Sequence, residues 1–287
     1  MTNEQKRQVR EALIRYVNTF ESQTAAANSL HDISASTISQ VKNNNWELLS
    51  DRLWQHIARQ VGFYTGQDIM ELQPADTCAY LLLRILFGDA QHYGMTYGIA
   101  IGTGLGKSFT ARRYTRENAN TIYIACDANY NRKSFMMALL HAAGIEAKGS
   151  MPEMIGKLGY HLSEAEEPLI IFDDAHLLRD RVLHLVVLLS ASFGGRTGVV
   201  IMGNDELPSR IVDGVRLKKV GYDDIYKSIG RRFITLGSLG QKDVELVCKA
   251  NGVYDEEVIA HINEECSNNL HTAISMIGEY THMKVAA

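Results

Sequence analysis

Gly98-Ile99-Ala100-Ile101-Gly102-Thr103-Gly104-Leu105-Gly106-Lys107-Ser108 is the stretch on which the reading turns. A short apolar strand runs into a loop with three glycines, then Lys-Ser, then a helical pattern carrying Phe109, Ala111 and Tyr114. Glycines let backbone N–H groups curl around phosphate oxygens, and the helix start adds its positive dipole end. The spacing follows GxxxxGK[ST] except at its first position, where Ile101 stands and Gly102 is the nearest glycine. Lys107 is placed to reach the β- and γ-phosphates of ATP, and the Ser108 hydroxyl to ligate Mg2+. The expected phosphate-binding set is Gly102, Thr103, Gly104, Leu105, Gly106, Lys107, Ser108 and Phe109. Alone, the same letters also suit a glycine-rich strand-to-helix turn that happens to precede Lys-Ser.

A second segment decides between these. Leu169-Ile170-Ile171-Phe172-Asp173-Asp174-Ala175-His176 is an apolar strand ending in two carboxylates, about one helix–strand–helix unit downstream. A buried strand sets Asp173 at its carboxyl edge, where it can hold the Mg2+ water shell, and leaves Asp174 to orient or activate a water. A lone Asp-Asp after a strand would read as a helix cap. Paired with Gly106-Lys107-Ser108, it reads as the other half of an ATP and Mg2+ site.

Working outward, short apolar runs at Tyr97–Ile101, Thr121–Cys126, Leu169–Phe172, Val199–Met202 and Phe233–Leu236 are mostly separated by helical segments. Alternation of this kind implies an α/β parallel sheet covered by helices on both faces. Residues 1–66 are expected to form an all-α domain. Val9, Leu13, Tyr16, Val17 and Phe20 fall on one helical face. A second helix is expected over Gln23–Leu30, a third from an N-cap at Ser34 to about Lys42, and another from Trp46 to Val61, after a break at Asn43-Asn44-Asn45. Gly62–Gly66 reads as a junction and 75–90 as a buried helix entering a core of residues 67–237. Residues 238–287 return to helix only, over 241–250, 255–266 and 269–282, as a helical lid.

The chain has 287 residues, 46% hydrophobic and 22% charged, enough for a sizeable core without a disulfide or metal staple. Cys78, Cys126, Cys248 and Cys266 are far apart with no metal-ligand spacing, so buried reduced thiols in a cytoplasmic protein are expected. No window approaches the ~18 apolar residues of a membrane span. The net charge of −4 gives no global attraction to nucleic acid, so DNA binding needs a local patch.

With these motifs in place, the chain resembles the AAA+ ATPases of DNA transposition, the family of the target-DNA-binding B protein of phage Mu. The resemblance runs over nearly the whole chain. The phosphate loop points to AAA+, and the order of parts with the segments Cys126–Phe135 and Arg216–Phe233 points to transposition. The family pattern implies that Asn204 is a polar sensor contacting the γ-phosphate or attacking water, with a turn-forming role before Asp205 as the alternative. It implies that Arg231, or else Arg232, is the arginine offered to a neighbouring subunit's ATP; a solvated pair flanking a strand is the alternative. The family usually has Glu where Asp174 stands, and Asn268-Asn269-Leu270 is followed by His271 rather than a sensor arginine. Slow, DNA-stimulated turnover is therefore expected.

DNA contacts are expected in two places. Residues 24–42 resemble a helix-turn-helix, with Ile33, Ile38 and Val41 inward and Ser36, Thr37, Gln40 and Lys42 toward a groove. Residues 1–70 balance seven Lys/Arg against seven Asp/Glu, so a helical interaction domain is the alternative. In the core, Asp127-Ala128-Asn129-Tyr130-Asn131-Arg132-Lys133 can face a DNA channel, with Asn129, Tyr130, Arg132 and Lys133 as contacts. A basic stretch of Arg210, Arg216, Lys218, Lys219 and Lys227 suits DNA, a subunit interface or a solvated face. The resulting expectation is an ATP-dependent, largely sequence-independent DNA-binding ATPase that assembles as a ring or helical filament on double-stranded DNA and recruits or activates a transposase. A helicase loader or replication initiator, or an ATP-gated DNA-binding regulator, are the alternatives.

Overall fold

The structure is a computed structural model that describes all residues except 1–2, 19, 21, 31–32, 44–48, 61–71, 194 and 287. The proposed junction at Gly62–Gly66, the 66/67 boundary, His31-Asp32 and the break at Asn44-Asn45 lie outside the described residues. Compactness divides the chain into Met1–Leu72 and Gln73–Ala287.

The first unit contains helices α1 (Asn3–Asn18), α2 (Gln23–Ser29), α3 (Ala35–Lys42) and α4 (Asp51–Gln60). The fourth opens at Asp51, with Ser50 receiving the first turn's N–H groups; residues 46–48 and Val61 of the expected span lie outside the described residues. Val9, Leu13, Ile38, Val41, Trp54 and Ile57 are fully buried together. At about 1.5–3 kcal/mol for each large apolar side chain, this cluster supplies most of the drive to fold the unit. Ser34 caps α3, its hydroxyl accepting from Thr37 N.

The second unit holds the sheet. After α5 (Cys78–Tyr93) come β1 (Thr96–Ile101), α6 (Lys107–Glu117), β2 (Thr121–Ala125), α7 (Arg132–Ala142), α8 (Met151–Glu164) and β3 (Leu169–Asp173). A 3-10 turn over Ala175–Leu177 leads to α9 (Asp180–Ser192), β4 (Gly198–Gly203), α10 (Glu206–Arg216), α11 (Tyr222–Ser228) and β5 (Ile234–Leu236). Three helices follow: α12 (Gln241–Ala250), α13 (Glu256–Glu265) and α14 (Leu270–Ala286). All strand pairs are parallel, in the order β2-β3-β4-β1-β5.

Why the strands read as unbroken apolar runs is visible in their packing. Ile170, Phe172, Val199 and Ile201 face one cluster with α7, α8 and α9, while Leu169, Ile171, Val200 and Met202 face the other with α5 and the C-terminal helices. A strand's side chains alternate between faces, so a sheet covered on both sides needs apolar residues at every position. The fold is an α/β parallel sheet of five strands flanked by helices, with the glycine loop following β1. Helices α12, α13 and α14 contribute Val244, Val247, Ile262 and Ala273 to the same cluster as one face of the sheet.

Three expectations need correction. Helix α5 is not buried all round: Leu81 and Ile85, four residues apart on one face, are exposed. Cys78 is exposed, because it opens α5, where its N–H donates to Asp243 Oδ1; Cys126, Cys248 and Cys266 are buried and free. Phe233 lies before the last strand, and packs against the cluster under α9 to α11 instead.

Candidate functional site

Strand β1 ends at Ile101, and the chain turns through Gly104 and Gly106, both with positive φ (79° and 83°), before α6 starts at Lys107. Only glycine takes this conformation without penalty, so the loop's curl is written into those two residues. Leu105 is buried in the sheet cluster and anchors the loop from beneath, while Thr103 is exposed. Gly106 O accepts from both Thr110 N and Thr110 Oγ1, which fixes the first turn of α6. Phe109 is half-buried and packs 6.4 Å from the Tyr80 ring. Ser108 is also half-buried.

The Lys107 side chain is buried, and Nζ donates to Ile101 O and Gly102 O, 2.7 Å each. Burial pushes its pKa down, against the pull of Asp173, Asp174 and Asp205. A buried ammonium satisfied only by carbonyls, at the mouth of a glycine loop and facing carboxylates, suits a triphosphate with its divalent counter-ion. The residues therefore fit ATP and Mg2+.

Asp173 closes β3 with no exposed surface. Its Oδ2 accepts from Tyr123 OH at 2.9 Å and its Oδ1 from Asp174 N at 3.0 Å. The Arg112 guanidinium lies 5.6 Å from the Tyr123 ring centroid and its Nε donates to that hydroxyl. Asp174 takes a left-handed backbone (φ 53°, ψ 36°) and is half-buried. Desolvation first, then repulsion by Asp173, raises its carboxyl above the usual range; His176, Lys107 and Arg112 oppose the shift. Two carboxylates, one spoken for by a tyrosine and one held at higher pKa, have environments that push them toward different tasks.

Asn204 follows β4, between β1 and β3 in the sheet order. Its Oδ1 accepts from the N–H of Glu206, the first residue of α10, at 3.1 Å. Arg231 is exposed, in the left-handed region (φ 59°) just before β5; its N–H donates to Tyr226 O and its Nη2 lies 3.9 Å from Asp223 Oδ1. Arg232 is exposed beside it.

The loop after β2 carries the expected DNA contacts. Asn131 caps α7 in a capping box with Ser134, leaving Arg132 and Lys133 exposed at the helix start. Asn129 is exposed, its N–H bound to Asp127 Oδ1. Tyr130 is half-buried, edge-on to Phe135 at 5.9 Å, so its ring serves the core more than a channel. In the first unit Gln40 is exposed, Lys42 half-buried, and Thr37 half-buried with its hydroxyl on Ser34 Oγ at 2.9 Å.

Sequence reading missed several residues. Arg179 and Arg181, at the start of α9, line a cleft of about 780 Å³ with Arg132 and Lys133. Asp180, the acid in that cleft, is held by Arg210 Nη2 at 2.5 Å and Tyr222 OH at 2.8 Å, so the cleft's open charge is positive. Arg210 is correspondingly not part of a free basic stretch. Its Nη1 donates to His176 O and Leu178 O. Arg216 and Lys227 pair with Asp213 and Asp223. Leu270 N donates to Gly104 O at 2.8 Å, seating the start of α14 on the loop, where Asn269 Oδ1 caps His271 N. Arg179, Arg181, Arg210 and Leu270 lie far in sequence from the groups they meet; Tyr123 had a local signal, a polar-tipped residue between buried Ile122 and Ile124.

Residues 97–211 match the family model described as AAA domain. No curated protein matches the chain. Among solved structures it is similar to PCH-2 of C. elegans, at 10% identity over 76% of this chain and 72% of that one, with a TM-score of 0.30. The loop, the sheet order and the matched segment agree on an AAA-type P-loop domain.

Proposed function

We propose that this chain is an ATP-dependent, largely sequence-independent DNA-binding AAA+ ATPase that assembles on double-stranded DNA as a ring or helical filament and recruits or activates a transposase. The cleft carrying Arg132, Lys133, Arg179 and Arg181 supports the DNA part most directly. It opens at the edge of the sheet where β2 and β3 end, the edge that also holds Asp173. Four cations around one internally paired acid suit a phosphate backbone, whose recognition is blind to sequence.

In the nucleotide site Lys107 and the loop N–H groups bind the triphosphate, and Ser108 and Asp173 hold Mg2+. Held by Ser108 and Asp173, a Mg2+ ion would supply neutralisation of phosphate charge. Asp174 orients the attacking water, Asn204 lies near the γ-phosphate, and Arg231 serves a neighbouring subunit's ATP. ATP bound between subunits holds the assembly together, and hydrolysis dismantles it. Thr37, Gln40 and Lys42 add a DNA contact from the helical unit of residues 1–66, joined to a core of 67–237 and a lid of 238–287.

The test is binding to a random-sequence duplex with ATP, ADP or no nucleotide, alongside Lys107→Ala. Tight binding only with ATP, absent in the variant, is expected. Its logarithm should fall with log salt at a slope of roughly −3.6 if all four cations meet phosphates. Arg179→Ala should lower that slope by about 1. Binding that ignores nucleotide defeats the proposal. Strong preference for one sequence favours a regulator, and dependence on a replicative helicase favours a loader.

A further inference from the structure

The turn that follows the paired carboxylates is not self-supporting. Asp174 sits in the left-handed region, and the 3-10 turn after it is closed by Leu177 N on Asp174 O and Leu178 N on Ala175 O. On the outer side of that turn, His176 O and Leu178 O both accept from Arg210 Nη1, at 3.1 and 2.6 Å. The other nitrogens of the same guanidinium are also engaged: Nη2 with Asp180 Oδ1 at 2.5 Å, Nε with Tyr222 OH at 3.3 Å. Tyr222 OH in turn donates to Asp180 Oδ1. A planar, always charged fork is the one side chain that can hold two carbonyls, a carboxylate and a phenol at once.

Both ends of this clasp are fixed to parts of the candidate site. Arg210 stands on α10, whose first residue, Glu206, donates its N–H to Asn204 Oδ1. Tyr222 opens α11, and its ring is locked in place, since a Cβ on Gly214 would come within 2.1 Å of it. The seven-residue α11 ends at Ser228, and Arg231 N–H then donates back to Tyr226 O. The helix spans roughly 10 Å, short enough to move as one body.

We propose that Arg210 is the positioning residue for the Asp173–Asp174 pair, and that the Asp180–Arg210–Tyr222 clasp makes the placement of Asp174 depend on the segment bearing Arg231. This rests on the reading of Asp174 as the water-orienting carboxylate. A neighbour that engages Arg231 would then tighten the turn after Asp174 through α11, Tyr222 and Arg210, so that turnover responds to assembly as well as to ATP.

The experiment is steady-state ATP turnover by the full chain with duplex DNA, together with affinity for a fluorescent ATP analogue. Wild type is compared with Arg210→Lys, Arg210→Ala, Tyr222→Phe, Arg231→Ala, and Arg231→Ala combined with Arg210→Lys. The expected result is a kcat split from binding. Arg210→Ala lowers kcat at least tenfold with analogue affinity within twofold, and Arg210→Lys recovers part of it by keeping one donor on the carbonyls. Tyr222→Phe lowers kcat about threefold, and the double variant loses less than the product of its single losses. Arg210→Lys and Tyr222→Phe carry the test if Arg210→Ala does not fold. Unchanged kcat in those two, a KM rise with kcat intact, or multiplicative losses in the double variant overturns the role of Arg210 while leaving the hydrolytic reading standing. Wild type without turnover, equal to Asp174→Asn, overturns both.

Discussion

Replacing Gly104 by alanine tests how the start of α14 is seated on the glycine loop. Gly104 has φ +79°, where a side chain costs about 1–2 kcal/mol. The new methyl also meets the lid: it would lie 2.4 Å from Asn269 Oδ1 and 3.1 Å from Asn269 Cα. The first approach is not tolerable and the second asks for a few tenths of an ångström, so the Asn269 side chain must swing away. That breaks its cap on His271 N, worth ~1 kcal/mol, and loosens the Leu270 N–Gly104 O bond, worth ~1 kcal/mol. The expected loss is about 3–4 kcal/mol. In a unit of this size each kcal/mol shifts Tm by about 2–4 °C, so differential scanning calorimetry should show the larger unit melting on the order of 10 °C lower. The partition is checked with Asn269→Gly, which alone should cost only a few tenths of a kcal/mol, about what capping scales give. In the Gly104→Ala background it should restore roughly half of the lost stability, because the obstructing side chain is gone. Additive losses in the double variant would refute the reasoning, since two residues in contact must couple.

Other consequences follow from single contacts. Buried Asn251 donates to Gln73 O and Val247 O and accepts from Gln73 N; Asn251→Ala removes all three bonds and should cost about 2–3 kcal/mol in thermal unfolding. With a thiol reagent at pH 8, one cysteine, Cys78, should react in the folded chain and the other three only on unfolding. Burial hides Cys126, Cys248 and Cys266, and also pushes the Cys248 thiol up to about 11, so a second fast thiol would contradict the packing. Burial lowers the pKa of Lys107 from 10.5, so the folded chain releases that proton more readily than the unfolded chain. Between the lowered value and 10.5 the unfolded state binds more protons, and stability without nucleotide should rise with pH across that interval. Lys107→Met should flatten this rise in urea titrations at several pH values; an unchanged slope would show that the ammonium is not the group responsible.

What was legible in the chain is what neighbours in sequence decide. Gly104, Gly106 and Lys107 specify a loop because glycine's freedom and a helix start act within a few residues. Leu169–Asp173 reads as a doubly covered strand because both of its faces are apolar, and Ser34 caps the helix it precedes. The strand order β2-β3-β4-β1-β5 is not of that kind, and everything that depends on it was out of reach. Placing β3 beside β2 is what brings Arg179 and Arg181 to Arg132 and Lys133, some 50 residues away. Arg210 looked like one cation in a basic stretch because charge written along a sequence does not name its partner. Its partners sit 30 to 34 residues upstream, across β4, and they include the turn on which the carboxylates depend. The same holds for Leu270 and Gly104, joined by a single backbone bond that no side-chain identity announces. Local physics thus writes the groups proposed to bind phosphate, while topology writes the groups that place them. A variant at Lys107 is expected to abolish binding, whereas variants at Arg210 or Asn269 are expected to change how well a bound nucleotide is used.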